Sequence, residues 1–249
     1  MKQSVTFDDR MVRAILLGKK TQMRQVMKPQ PMMIADRKSR IFDGPESVLQ
    51  QLLERTGKGC PYGQPGDRLW VRETWRPEIS HSCALDACDC ETVQVSYAAD
   101  LLGVALQGLR PTTPNRRGPR GPGYGARPEV NYFDSEIPDS WLMPKAAERG
   151  NVSPRLMPRW ASRITLEITK VRVQRLQEIS ETDCVAEGCA GLLYGSTRGY
   201  NHSVTPKQQY HWLWSDINGP EAWEANPWVW VVEFNRVQIL RAISPARGL

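Results

Sequence analysis

The sequence predicts a mixed, mainly β fold: a small curled sheet or barrel with helices at its periphery. Three observations lead there. Strand-like runs rich in β-branched and aromatic residues recur at distant places, Arg68 to Trp75, Ile164 to Val173 and Trp228 to Phe234. Short amphipathic helices lie between them without regular βαβ alternation, which disfavours a parallel sheet. Regular periodicity also lapses between residues 101 and 155, so one domain with a long insertion fits better than two domains. The expected layout is a single domain over 1–249. Its core lies at about 4–76 and 155–236, and a Cys- and Pro/Gly/Arg-rich insertion at about 77–154.

The elements follow in order. Thr6-Phe7-Asp8-Asp9 reads as a helix entry, with Thr6 as cap and Asp9 three residues on. Met11, Val12, Ile15 and Leu16 then make one apolar face, and Gly18 can take the left-handed conformation that ends a helix. Lys19, Lys20 and Arg24 follow at once, so a basic turn is placed at the helix end. Pro29 and Pro31 exclude regular helix, and Ser47 to Arg55 suits a short one. Gly66-Asp67 is a turn ahead of the Arg68 strand. Ser180-Glu181-Thr182-Asp183 is a capping pattern for a short helix with Glu187 near its end and Gly188 as its stop. Thr205-Pro206 opens a further helix, with Pro206 at its first position, a Tyr210, Leu213, Trp214, Ile217 stripe, and Gly219 at its end.

Composition narrows the function classes. The chain has 249 residues, 40% of them hydrophobic, and a net charge of +6, which favours a polyanionic partner. No run approaches the ~18 apolar residues of a membrane span, and residues 1–9 lack a signal-peptide core, so no membrane partner is expected. The expected location is cytoplasmic, where the six cysteines would be reduced thiols or metal ligands. His81, Cys83, Cys88 and Cys90 lie within about ten residues, with Cys60 able to join them. Zinc is one reading of this cluster, and free thiols in a polar loop are the other, since Cys-x4-Cys-x-Cys is no standard finger spacing. Cys184 and Cys189 flank Glu187 and read as packing residues. Most of the nine tryptophans should be core. Trp75 closes a strand where it would serve equally as core or as a base-stacking surface. Arg117 and Arg120 belong to an acid-free stretch from Arg110 to Pro128, readable as a solvated flexible loop or as an arm that tracks phosphates.

Gly18-Lys19-Lys20-Thr21, the run from Gly66 to Trp75, Ile164 to Val173, Glu178 to Gly188 and Trp228 to Phe234 together resemble the ASCH superfamily, and most of all its larger phage and prophage proteins. The resemblance implies a PUA-like small β-barrel with a cleft between barrel and helices, and binding of RNA, DNA or modified nucleotides there. One bacterial branch of that family removes the acetyl group of N4-acetylcytidine with a Lys, a Thr and a Glu. Motif to motif, the Lys falls on Lys20 and the Glu on Glu187. The Thr falls on Met23, which has no hydroxyl to act as nucleophile. The leading expectation is therefore a nucleic-acid or modified-nucleotide binding protein of a bacterial host cell. Its site would draw on Lys20, Thr21, Arg24, Arg72, Glu73, Trp75, Arg117, Arg120 and Glu187. Two alternatives stand beside it: a hydrolase (an N4-acetylcytidine amidohydrolase or a nuclease) with Lys20 and Glu187 catalytic, and a phage factor that binds a host protein.

Overall fold

The computed structural model describes residues 3–35, 38–81, 91–100, 130–133, 137, 140–189 and 204–237. Its centre is a five-stranded sheet in the order β1-β5-β9-β10-β2. The strands are β1 (Gln3–Thr6), β2 (Gln22–Val26), β5 (Arg68–Arg72), β9 (Thr165–Arg175) and β10 (Trp228–Val237). β1 and β5 run parallel, and the other neighbours antiparallel. No pairing between β1 and β2 closes the sheet among the described residues, so it is an open sheet with two edges. The chain leaves β1 after only four residues, crosses as helix α1 (Asp9–Leu16) and returns at the far edge as β2. Two smaller sheets complete the β structure. One is the pair β3 (Met32–Ala35) and β4 (Lys38–Ile41); the other joins β6 (Trp75–His81), β7 (Glu91–Tyr97) and β8 (Val130–Phe133).

β10 explains why its sequence is apolar without alternation. Trp228, Trp230, Val232 and Phe234 enter the main core with Val5, Leu69, Val71, Leu166 and Ile168. Val229 and Val231 face the other way, into a second core with Leu176, Cys184, Tyr210, Leu213 and Trp214. Successive side chains of a strand point to opposite faces, so a strand covered on both sides is apolar throughout. Helix α2 (Glu46–Arg55) covers the first face through Leu49. Helices α3 (Glu181–Ala186) and α4 (Pro206–Asn218) cover the second.

The helix ends largely follow the sequence signals. Ser180 accepts from the Asp183 amide, and Thr205 from the Gln208 amide with Pro206 at the first turn. Gly18, Gly188 and Gly219 take positive φ values of 69°, 91° and 98° where their helices stop. The cap of α1 differs from expectation. Asp8, not Thr6, accepts the Met11 amide at 2.7 Å, because Thr6 is still in β1.

The strand expected from Arg68 to Trp75 breaks at Glu73 and Thr74, and Trp75 begins β6. Part of the expected irregular insertion is ordered structure. β6, β7 and β8 form a sheet with its own core of Trp75, Val93, Val95, Tyr97, Val152, Met157 and Ala161. Residues 140–155 pack through 3-10 turns and a Trp75–Val152 bridge rather than forming a loose loop. Arg117, Arg120, Cys83, Cys88 and Cys90 lie outside the described residues, as does the side chain of His81. No helix among the described residues is long and apolar enough to cross a membrane.

Candidate functional site

The turn after α1 is built by its backbone. The Lys19 and Lys20 amides both donate to the Ala14 carbonyl, at 2.8 and 3.1 Å, folding the chain back at Gly18. Thr21 is then pinned on both sides: its amide donates to Ala186 O at 2.9 Å, and its carbonyl accepts from the Phe234 amide at 2.8 Å. The turn thus lies against the end of α3. Lys20 points inward and is only 2% exposed. Its Nζ donates to Glu187 Oε2 at 2.7 Å and to the Glu187 carbonyl at 3.0 Å. The Thr21 side chain faces solvent.

Arg24 extends the same network. It lies opposite Val231 in the ladder, so it faces the α3 and α4 side, while Met23 lies opposite Val232 and enters the main core. The Arg24 side chain has no exposed surface. Its guanidinium donates to Glu187 Oε1 at 3.1 Å, Asp183 Oδ2 at 2.8 Å, Gln22 Oε1 at 2.6 Å and Gln174 Oε1 at 3.1 Å. Arg172 donates to both Asp183 oxygens, at 3.0 and 3.1 Å, and its Nε lies 3.6 Å from Glu233. Burial alone would raise the Asp183 carboxyl, but the charges of Arg24 and Arg172 outweigh it and hold the group below its ordinary range. Asp183 on α3 and Glu187 at its C-cap stand one turn apart, so both project toward β2. Lys20, Arg24 and Arg172 are thereby balanced by Asp183, Glu187 and Glu233.

A pocket of about 190 Å³ opens beside this network. It lies between the end of β1 (Thr6) with the link to α1 (Phe7, Asp8) and the edge strand β2 (Met23, Arg24), and Tyr210, Leu213, Trp214 and Ile217 of α4 wall it. Lys20 and Glu187 line it as well. The volume is below the ~300–1,000 Å³ of sites for drug-sized ligands, which suits a single ring system. Ile217 is 55% exposed at the rim, whereas Tyr210 and Trp214 are buried. The Lys20 ammonium sits 5.8 Å from the Phe7 ring and Arg24 5.9 Å from the Tyr210 ring, within cation–π range. Burial pushes the Tyr210 phenol well above its ordinary value, so it stays neutral. Two buried donors on lining residues, Arg24 Nε and Trp214 Nε1, have no hydrogen-bond partner among the described residues.

Searches against protein-family models, curated proteins and solved structures find no match to this chain. The geometry alone therefore relates the expected residues to one another. It brings Lys20, Arg24 and Glu187 together and puts Met23 in the same pocket wall. Glu73 lies elsewhere. It is fully buried at the junction of the two larger sheets, where Arg163 grips both of its oxygens at 3.0 and 2.9 Å and also binds Asp100 at 2.9 Å. Trp75 is 0% exposed, so of its two readings the structure takes the core. Arg72 is half-buried and lies over the Trp70 ring at 4.8 Å. Cys184 and Cys189 are buried packing residues, and burial pushes the Cys184 thiol up to about 12 and Cys189 higher still. Cys60 is half-buried against the main core, and burial raises its thiol too.

Sequence reasoning did not single out Gln22, Asp183 or Tyr210 as site residues. Asp183 had a usable signal, since it precedes Glu187 by four positions on a capped helix and shares its face. Tyr210 had none beyond its apolar stripe, because a core aromatic and a pocket wall share the same periodicity.

Proposed function

We propose that this protein binds a nucleobase in the pocket beside Lys20, either within a nucleic acid or as a modified nucleotide. The observation that carries the proposal is the pairing of aromatic walls with a polar floor whose charges cancel internally. The charges of Lys20 and Arg24 are paired with the Glu187 and Asp183 carboxylates, so the floor suits a neutral, hydrogen-bonding ring better than a phosphate. Phe7, Tyr210 and Trp214 supply the aromatic surface. Arg24 Nε and Trp214 Nε1 are donors lacking acceptors, at a cost of about 1–3 kcal/mol for each buried unpaired group. Both atoms are buried beneath the pocket surface, so the base is met by the aromatic faces rather than by these donors. The same reading includes the resemblance to ASCH domains, a PUA-like arrangement of the main sheet and action in the cytoplasm of a bacterial host. Its support is that Lys20 and Glu187, matched from motifs 167 residues apart, meet in one ion pair.

The test must spare the fold. Removing only one partner of a buried ion pair strands the other charge, at about 3–5 kcal/mol. The double variant Lys20→Met with Glu187→Gln removes both charges and keeps an acceptor for Arg24. Calorimetric titration with the four ribonucleosides and N4-acetylcytidine should show binding by the parent. The double variant should lose at least tenfold in affinity while its melting temperature stays within a few degrees. Equal affinity in both proteins rules the pocket out as the site.

One observation also favours a hydrolytic reading. Met23 shares the pocket wall with Lys20 and Glu187, the places the resemblance gives to a nucleophile, its base and its acid. A thioether cannot attack an amide, but a Thr hydroxyl beside a base can. Met23→Thr should therefore confer release of acetate from N4-acetylcytidine, followed by chromatography of the nucleoside product. Absence of turnover in both Met23→Thr and the parent would end the amidohydrolase reading while leaving base binding untouched.

A further inference from the structure

The cations on the pocket floor are neutralised, so phosphates flanking a bound base need other partners. Arg72 offers one. Thr6, which lines the pocket, pairs with Arg72 in the parallel β1–β5 ladder, and the Phe7 amide donates to the Arg72 carbonyl at 3.2 Å. Residues in direct register share a face. Val5 and Val71 enter the main core together, so Thr6 and Arg72 share the opposite face, with Ser4 and Trp70 beyond them. No acid pairs with Arg72 among the described residues, and its buried Nε has no hydrogen-bond partner there. The Trp70 ring holds the Arg72 guanidinium at 4.8 Å and that of Arg159 at 5.8 Å. Arg159 is tied further by bonds to Ser162 O and Thr165 Oγ1. Of the acids around it, Glu167 bonds Arg68 at 3.4 Å, Glu73 is held by Arg163, Asp8 caps α1, and Asp9 bonds Thr74 while its Oδ1 is buried without a partner.

We propose that Arg72, backed by Trp70 and Arg159, is a phosphodiester contact that takes the backbone of a single-stranded nucleic acid whose base occupies the pocket. The inference rests on the nucleobase reading of the pocket. Stacking on the indole fixes the guanidinium before any ligand arrives, which lowers the ordering cost of contact. Single strands are favoured because the base must stand clear of a stacked duplex to enter a pocket of this size. The track runs from the pocket mouth over Thr6 to Arg72, along the outer face of β1 and β5.

The test uses the full chain with a short mixed-sequence RNA strand, its DNA counterpart and the free ribonucleosides, titrated across a range of salt. Each neutralised phosphate of a single strand contributes about 0.7 to the slope of log affinity against log salt. Arg72→Gln should weaken oligonucleotide binding severalfold and reduce that slope by about 0.7, with nucleoside affinity unchanged. Arg72→Lys should keep the slope, because the charge is retained. An unchanged slope in Arg72→Gln, a Lys variant that behaves like the Gln variant, or a parent that binds neither strand at low salt would each overturn the proposal. An Arg72-dependent slope without any nucleoside binding would instead leave the phosphate contact standing and remove the pocket reading alone. RNA and DNA arms that respond alike would support a contact made to phosphate rather than to the 2′-hydroxyl.

Discussion

Glu73 is a carboxyl with no exposed surface, held at both oxygens by one guanidinium. Burial pushes its pKa up; the Arg163 hydrogen bonds and charge oppose this without cancelling it, and Asp100 and Asp9 add repulsion. The folded protein therefore holds the Glu73 proton more tightly than the unfolded chain does. Between the ordinary glutamate value of about 4.3 and the raised folded value, the folded state binds more protons, so stability falls as pH rises through that window. Glu73→Gln should make the fall shallower in thermal melts taken across it, with the remaining slope owed partly to Asp9, which burial also raises. An identical profile in parent and variant would mean that Glu73 is ionised throughout. Asp183 acts with the opposite sign. Its depressed pKa contributes stability that is present above the ordinary aspartate range and lost as pH falls through the folded value. Positions of this kind were visible in the sequence as charges but not as buried charges. Lys20 and Arg24 read as a basic turn because their acids lie about 160 residues away, beyond the reach of any local pattern.

Helix α4 shows what a short element owes to its ends. It begins with Thr205 accepting the Gln208 amide at 3.2 Å, while Gln208 Oε1 accepts the Thr205 amide at 3.1 Å. Lys207 ties its first turn to Glu181 of α3 and to the Gln177 carbonyl. Thr205→Ala should cost about 1 kcal/mol of stability by denaturant titration. Because the same helix carries Tyr210, Leu213, Trp214 and Ile217, nucleoside affinity should fall with it. Stability lost without any loss of affinity would show that the pocket wall is held by packing alone. The helices were the most legible elements in the sequence, since caps and stops are chemical signals confined to a few residues. The three-stranded sheet was the least legible. Its strands are separated by long stretches, and Arg, Pro and Gly between β7 and β8 mask the alternation of the short β8 strand.

At the scale of the molecule, the main core and the core of the three-stranded sheet are joined at a polar seam. Strand β5 of the main sheet ends at Arg72, and β6 of the three-stranded sheet begins three residues later at Trp75. Arg163 clamps Glu73 and Asp100 across the join, and the Tyr97 hydroxyl donates to Ala161 O at 2.8 Å. The guanidinium of Arg163 also lies 3.9 Å from the Tyr97 ring. The mainly β class was legible from three strand runs, and the openness of the main sheet was not. Whether a sheet closes depends on how its first and last strands meet, and four residues of β1 carry no pattern for that. The balanced network beside the pocket bears on how a charged strand would find this protein. Three cations and three acids there sum to nothing, so the excess of +6 lies elsewhere on the chain. The field that draws a polyanion inward then originates away from the place where a base is held. Added salt should slow arrival and leave the residence of the base itself nearly unaltered, so that encounter and recognition are governed by different parts of the molecule.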